Sequence, residues 1–252
     1  MSAVTSRDGT RIAYESVGSG PPLILVDAAG HFRANSALGE LADLLTGDFT
    51  LYRYDRRGRG ESADTPPYAP TREVEDVAAL VAVAGAPVSL YGYSSGCLVA
   101  LHAAAAGLDV RRLVLLEPPI DPAGNSAAQR AFTAKLRELT GEDAVTHFLT
   151  GIGVPDELLA GMRGTPHWRD MVSVAHTLAY DSQLSEATTA ALLSRVTAPA
   201  LVLDSSGSGG ELTGMAASAA ALLPHAVHRS LAGEWHGVPA TALAPVVADF
   251  LR

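Results

Sequence analysis

A single cysteine, Cys97, leaves the 252-residue chain without the means for an internal disulfide framework. Basic residues are scarce as well: 18 Lys and Arg stand against 27 Asp and Glu, for a net charge of −9. Phosphate binding needs clustered Lys and Arg, so no nucleic-acid partner is expected. The opening "MSAVTSRDGT" lacks the basic and apolar regions of a secretory leader. No apolar run reaches the roughly 18 residues of a membrane-spanning helix before a charge, glycine or proline interrupts it. The expectation is a cytoplasmic protein with no membrane partner. There is no Walker motif and no His-Glu-x-x-His pattern, and the histidines show no ligand spacing, so neither a metal nor another cofactor is implied.

With 48% hydrophobic and 18% charged residues, the chain has the make-up of a globular protein able to bury a substantial core in one domain. "TRIAYESVG" (10–18) alternates like a half-exposed strand, whereas "PLILVD" (22–27) is a continuous apolar run expected of a strand buried on both faces. "LYRYD", "VSLYGY", "RLVLLE" and "ALVLD" are further strand candidates, and "AVHRSL" (226–231) another. Stretches with helical spacing lie between them (37–47, 71–85, 95–107, 214–224), several closed by glycine or proline. Such alternation predicts an α/β fold with a doubly wound, mostly parallel sheet. It breaks once. Residues 118–198 offer helical segments and no convincing buried strand, and are read as a helical cap inserted before the last two strands, leaving 1–117 and 199–252 as the core.

The stretch "SLYGYSSGCLVALHAAAAG" (89–107) passes from strand-forming to helix-forming residues across Gly92-Tyr93-Ser94-Ser95-Gly96. A serine at such a junction sits on a sharp turn that only small neighbours permit, with its hydroxyl above the sheet and a helix N-terminus facing a developing oxyanion. Ser94 is the candidate nucleophile, and the N–H of Ser95 the first oxyanion donor. Cys97 and His102 are read as packing on the helix. "YDRRGRGESAD" also matches a dinucleotide G-x-G-x-x-A pattern through Gly58, Gly60 and Ala63, but that fingerprint must open a helix and "DTPPYAP" follows it. Asp55, Arg56 and Arg57 are read as an ion-pair brace.

Four segments in order, "LILVDAAG", "YDRRGRGES", "GYSSG" and "GEWHGV", make the chain resemble the α/β-hydrolase superfamily over nearly its whole length. The resemblance implies a serine hydrolase with a Ser, acid, His order, the base being His236 and a second oxyanion donor the backbone of Ala29. Asp27 departs from the family pattern, which often has histidine there; it is expected to turn away, to pair with Arg33 or His31, or to mark a different chemistry. The acid is divided. The family usually carries an aspartate in the loop after the strand "ALVLD", but here that loop reads "DSSGSGG", leaving Glu117 as the preferred acid and Asp204 as the alternative. A small-molecule, mainly apolar acyl substrate (ester, thioester or lactone) is expected, with His31, Trp168 and Tyr180 as candidate contacts and the cap residues Phe148, Met162, Trp168 and Tyr180 suggesting the apolar pocket. Carbon-carbon bond hydrolysis by the same triad, or a ligand-binding or cyclisation-promoting protein without hydrolysis, are the alternatives.

Overall fold

The computed structural model describes residues 2–85, 87–120 and 126–252, without the side chain of Glu211. Residues 121–125, within the segment read as cap, therefore lie outside the described residues. Eight strands, β1 (Ser2–Thr5), β2 (Arg11–Gly18), β3 (Pro22–Val26), β4 (Thr50–Tyr54), β5 (Val88–Tyr93), β6 (Val110–Leu116), β7 (Ala200–Ser205) and β8 (Ala226–Leu231), form one sheet. Their order is β1-β2-β4-β3-β5-β6-β7-β8, with β1/β2 and β2/β4 antiparallel and the other pairs parallel. The edge strand β1, only four residues long, is the one strand the sequence pattern did not suggest.

Side-chain alternation explains the layering. In β3, Ile24 and Val26 face one apolar layer and Leu23 and Leu25 the other, so a run that is apolar throughout is buried on both faces. The helices α1 (Gly39–Leu45), α2 (Pro70–Ala84) and α3 (Ser95–Ala105) follow the early strands. Between β6 and β7 the chain leaves the sheet for α4 (Ala127–Glu138), α5 (Gly141–Gly151), α6 (Asp156–Met162), α7 (Pro166–Ser173), α8 (Leu178–Ala187) and α9 (Ala190–Leu193). It returns through α10 (Gly210–Leu222) and α11 (Ala240–Leu251). The insertion stands where the break in alternation placed it. Among the described residues, no helix is long and apolar enough to cross a membrane.

The insertion has a core of its own, including Leu136, Val145, Trp168, Met171 and Leu178, and is tied to the sheet domain by charge. Asp181 on α8 accepts from Arg56 at 2.7 Å and from Arg59 at 2.6 Å, and Arg56 is also held bidentately by Glu73 of α2. All four side chains are buried, two cations against two anions. The two arginines keep the Asp181 carboxyl below the ordinary aspartate range although burial pushes the other way. Arg57, held by Asp76 and Asp8, forms a second brace beneath. Asp181→Asn leaves the two guanidinium groups with one carboxylate between them. The expected cost is about 3–5 kcal/mol of unfolding free energy, readable by denaturant titration, because an unpaired buried charge outweighs the lost attraction. A loss below about 1 kcal/mol, the level of an exposed pair, would contradict this account.

Candidate active site

The turn from β5 into α3 is built by contact. A Cβ on Gly92 would stand 2.6 Å from the Cys97 backbone, and one on Gly96 would stand 2.1 Å from the Val26 carbonyl oxygen, so neither position tolerates a side chain. Between them Ser94 takes φ 51°, ψ −122°, outside the regions L-residues favour. Its N–H donates to the Leu116 carbonyl at 2.9 Å, pinning the turn to the end of β6.

Glu117 and His236 share this unusual backbone. Among the described residues, the non-glycine positions with positive φ are Ser94, Glu117 and His236, at 51°, 51° and 53°. Such conformations cost on the order of 1–3 kcal/mol each and persist only where the surroundings over-determine them. His236 shows how. Its Nδ1 hydrogen-bonds the Glu117 carboxylate, its N–H donates to Ser208 Oγ at 2.9 Å, and its carbonyl accepts from the Tyr93 hydroxyl at 2.5 Å. Glu117 in turn accepts at Oε1 from the Ser205 N–H (2.9 Å) and from Ser208 Oγ (2.5 Å). Burial pushes the Glu117 carboxyl up, but the donors His236, Ser208 and Ser205 outweigh it and hold it below the ordinary glutamate range. It is an anion at neutral pH.

Ser94 and His236 line one cavity of about 560 Å³, closed above by the insertion through Gln129, Phe132, Phe148 and Ser182 and at the side by Leu212 and Trp235. The N–H groups of Ala29 and Ser95 donate to no acceptor among the described residues; Ser95 lines the cavity, whereas Ala29 is not in its wall and packs against the insertion's apolar core. The Ala29 peptide is aimed by its neighbour: Arg59 Nη1 donates to the Ala28 carbonyl at 2.7 Å, and in a trans peptide the next N–H points the opposite way. Asp27 is turned aside, its carboxylate held by the Ala28 N–H and by Ser36 Oγ rather than by Arg33 or His31, and it does not line the cavity.

Several residues nominated from the sequence do not meet Ser94. Asp204 stays within β7 and hydrogen-bonds His228 Nε2 of β8 at 2.6 Å, not His236. His31, Trp168 and Tyr180, expected to contact substrate, are absent from the cavity wall. His31 bonds the Asn35 carbonyl and lies against the His167 ring, Trp168 fills the insertion's own core, and the Tyr180 hydroxyl reaches outward to Asp64. His102 is buried against Thr188, and that burial pushes its imidazole down to about 4, so it stays neutral at neutral pH. The segment with Gly58, Gly60 and Ala63 forms turns, and the next helix begins only at Pro70. Ser208, Tyr93, Arg59 and Asp181 were not singled out by sequence reasoning. The visible signal for Ser208 was its setting between Gly207 and Gly209, like that of the elbow serines.

Residues 18–249 match the model of the alpha/beta hydrolase family. An alpha/beta hydrolase from Sphaerobacter thermophilus DSM 20745 is 40% identical, with a TM-score of 0.87 over 100% of both chains. The enol-lactonase from Burkholderia xenovorans LB400, at 20% identity, shares the fold with a TM-score of 0.78 over 99% of both chains. N-formylmaleamate deformylase of Pseudomonas putida is 36% identical over 136 residues, 52% of this chain and 48% of that one. The chain thus spans about half the length, or less, of the curated relatives it matches.

Proposed function

The chain belongs to the α/β hydrolase family, and from that premise we propose that it is a serine hydrolase cleaving an ester, thioester or lactone through an acyl-serine intermediate. One observation carries the reading: the three strained non-glycine residues are a serine at the cavity wall, a histidine at the same wall and the carboxylate bonded to that histidine. Strain concentrated on a serine, a histidine and an acid fits a held catalytic geometry.

In this mechanism the Glu117 carboxylate accepts the Nδ1 proton of His236, which leaves the Nε2 lone pair of the neutral imidazole free to take the Ser94 proton. Ser94 Oγ attacks the acyl carbon as His236 takes its proton, and the N–H groups of Ala29 and Ser95 receive the oxyanion. His236 then protonates the leaving oxygen or sulfur. Water, deprotonated by the same imidazole, cleaves the acyl-serine and frees the acid. The wall formed by Leu98, Phe132, Phe148, Ile152, Leu212 and Met215 supports a mainly apolar acyl group. The non-hydrolytic alternative drew on Asp27 and on the empty acid position after β7. Asp27 faces away from the cavity and Glu117 bonds His236, so neither observation favours it.

A fluorophosphonate probe tests the reading directly, since it labels only an activated serine. Labelling is expected, with the adduct on the peptide that contains Ser94; no labelling, or an adduct on Ser95, would overturn it. A panel of uncharged acyl esters, thioesters and lactones then identifies the substrate.

A further inference from the structure

The segment "SSGSGG" (205–210), featureless as sequence, lies against the loop that carries His236. A Cβ on Gly207 would stand 2.2 Å from the Gly233 carbonyl oxygen, and Ser205 Oγ donates to the Glu234 carbonyl at 2.6 Å. The His236 loop is itself closed by a bridge between Glu234 and Gly237, with Trp235 and His236 at its tip. Ser208, buried between the two loops, touches both partners of the acid-base pair: its Oγ accepts the His236 N–H at 2.9 Å and reaches Glu117 Oε1 at 2.5 Å. A hydroxyl that accepts one N–H still has a single proton to give, and here Glu117 takes it.

We propose that Ser208 is a positioning residue, whose one hydroxyl fixes the Glu117 carboxylate and the His236 backbone to each other. The loop after β7 thus serves the pair from the place where the resembling family usually keeps the acid itself. Its role in rate rests on the hydrolase reading; its effect on the pair does not. Without a bound proton the pair carries one negative charge, and Ser208 donates to that charge. Removing the donor destabilises the anion more than the protonated pair, so protonation moves to higher pH.

The test is an NMR titration of the His236 ring in the full chain. Ser208→Ala is expected to raise the midpoint of the pair by about one pH unit, the equivalent of one hydrogen bond to a charged group. The acid limb of kcat/KM follows it upward, and kcat falls roughly ten- to a hundredfold with little change in KM. Ser208→Thr keeps the hydroxyl and restores both. Ser205→Ala removes the side-chain contacts with the Glu234 carbonyl and the Gly207 N–H while leaving every donor to Glu117, and leaves the midpoint in place. If the alanine variant fails to fold, Ser208→Cys, a weaker donor of the same shape, gives an intermediate shift. An unchanged midpoint in the Ala or Cys variant, or an equal shift in Ser205→Ala, overturns the proposal. Failure of the hydrolase reading looks different: no labelling and no turnover, with the titration shift intact.

Discussion

Ser94→Ala is expected to abolish probe labelling and to lower kcat by roughly four to six orders of magnitude, the scale on which an activated nucleophile acts together with its base. The protein should fold as before. The Ser94 N–H bond to Leu116 and the glycine contacts that shape the turn belong to the backbone and to Gly92 and Gly96, and survive the change. Thermal unfolding of the variant, measured beside its residual rate, separates lost chemistry from lost structure. Ser95→Ala makes a sharp contrast. Ser95 Oγ accepts from Arg56 at 3.1 Å inside the buried ion network, so its removal acts on stability, while the N–H proposed as oxyanion donor is retained. A Ser94→Ala variant with more than about a tenth of wild-type kcat would end the acyl-serine mechanism.

Glu117→Gln carries the second large effect, expected at roughly two to four orders of magnitude in kcat. Geometry sets its direction. Oε1 faces two donors, the Ser205 N–H and the Ser208 hydroxyl, so the carbonyl end of the new amide must occupy that position. The NH2 end is then turned towards His236 Nδ1 and needs a lone pair there. The imidazole can supply it only by moving its proton to Nε2, the atom that accepts from Ser94 in the proposed mechanism. The variant therefore holds its histidine in the wrong tautomer, which nitrogen-15 shifts of the ring report independently of rate. Asp204→Asn, acting on His228 at the sheet edge, should leave kcat within about threefold of wild type, as substitutions outside a catalytic group do. An exchange of these two results would move the acid to Asp204.

The sheet, the elbow and the insertion were legible in the sequence because each writes a local signal: apolar runs, glycines flanking a serine, a stretch without strands. The choice between Glu117 and Asp204 was not. Leu116 pairs with Leu203 in the parallel register, so the two carboxylates follow at the same height on neighbouring strands. They part because Glu117 leaves its strand at φ 51° while Asp204 remains in β7, and alternation cannot show a backbone break. Which insertion residues line the cavity was not legible for a related reason. Trp168 and Phe148 are both large apolar residues of the insertion, yet Trp168 lies inside that layer while Phe148 reaches the cavity wall, and only the packing of α5 against α7 decides which. Arg59 stood in plain sight in "RRGRG", but its partners in the insertion, Thr177 and Asp181, come from more than a hundred positions later in the chain.

Arg59 also joins the insertion to the loop after β3. One guanidinium donates to the Ala28 carbonyl on the sheet side and to Thr177 and Asp181 on the insertion side. The peptide that aims the Ala29 N–H and the helix that roofs the cavity thus share a single rigid, planar group. Any compound that shifts α8 must work against the Ala28 carbonyl, and any anion that tightens on the Ala29 N–H, the donor proposed for the oxyanion, must pull on α8. Thermodynamic linkage makes the two effects equal in free energy, so in the proposed mechanism acyl-group recognition and charge stabilisation would be coupled reciprocally through one side chain.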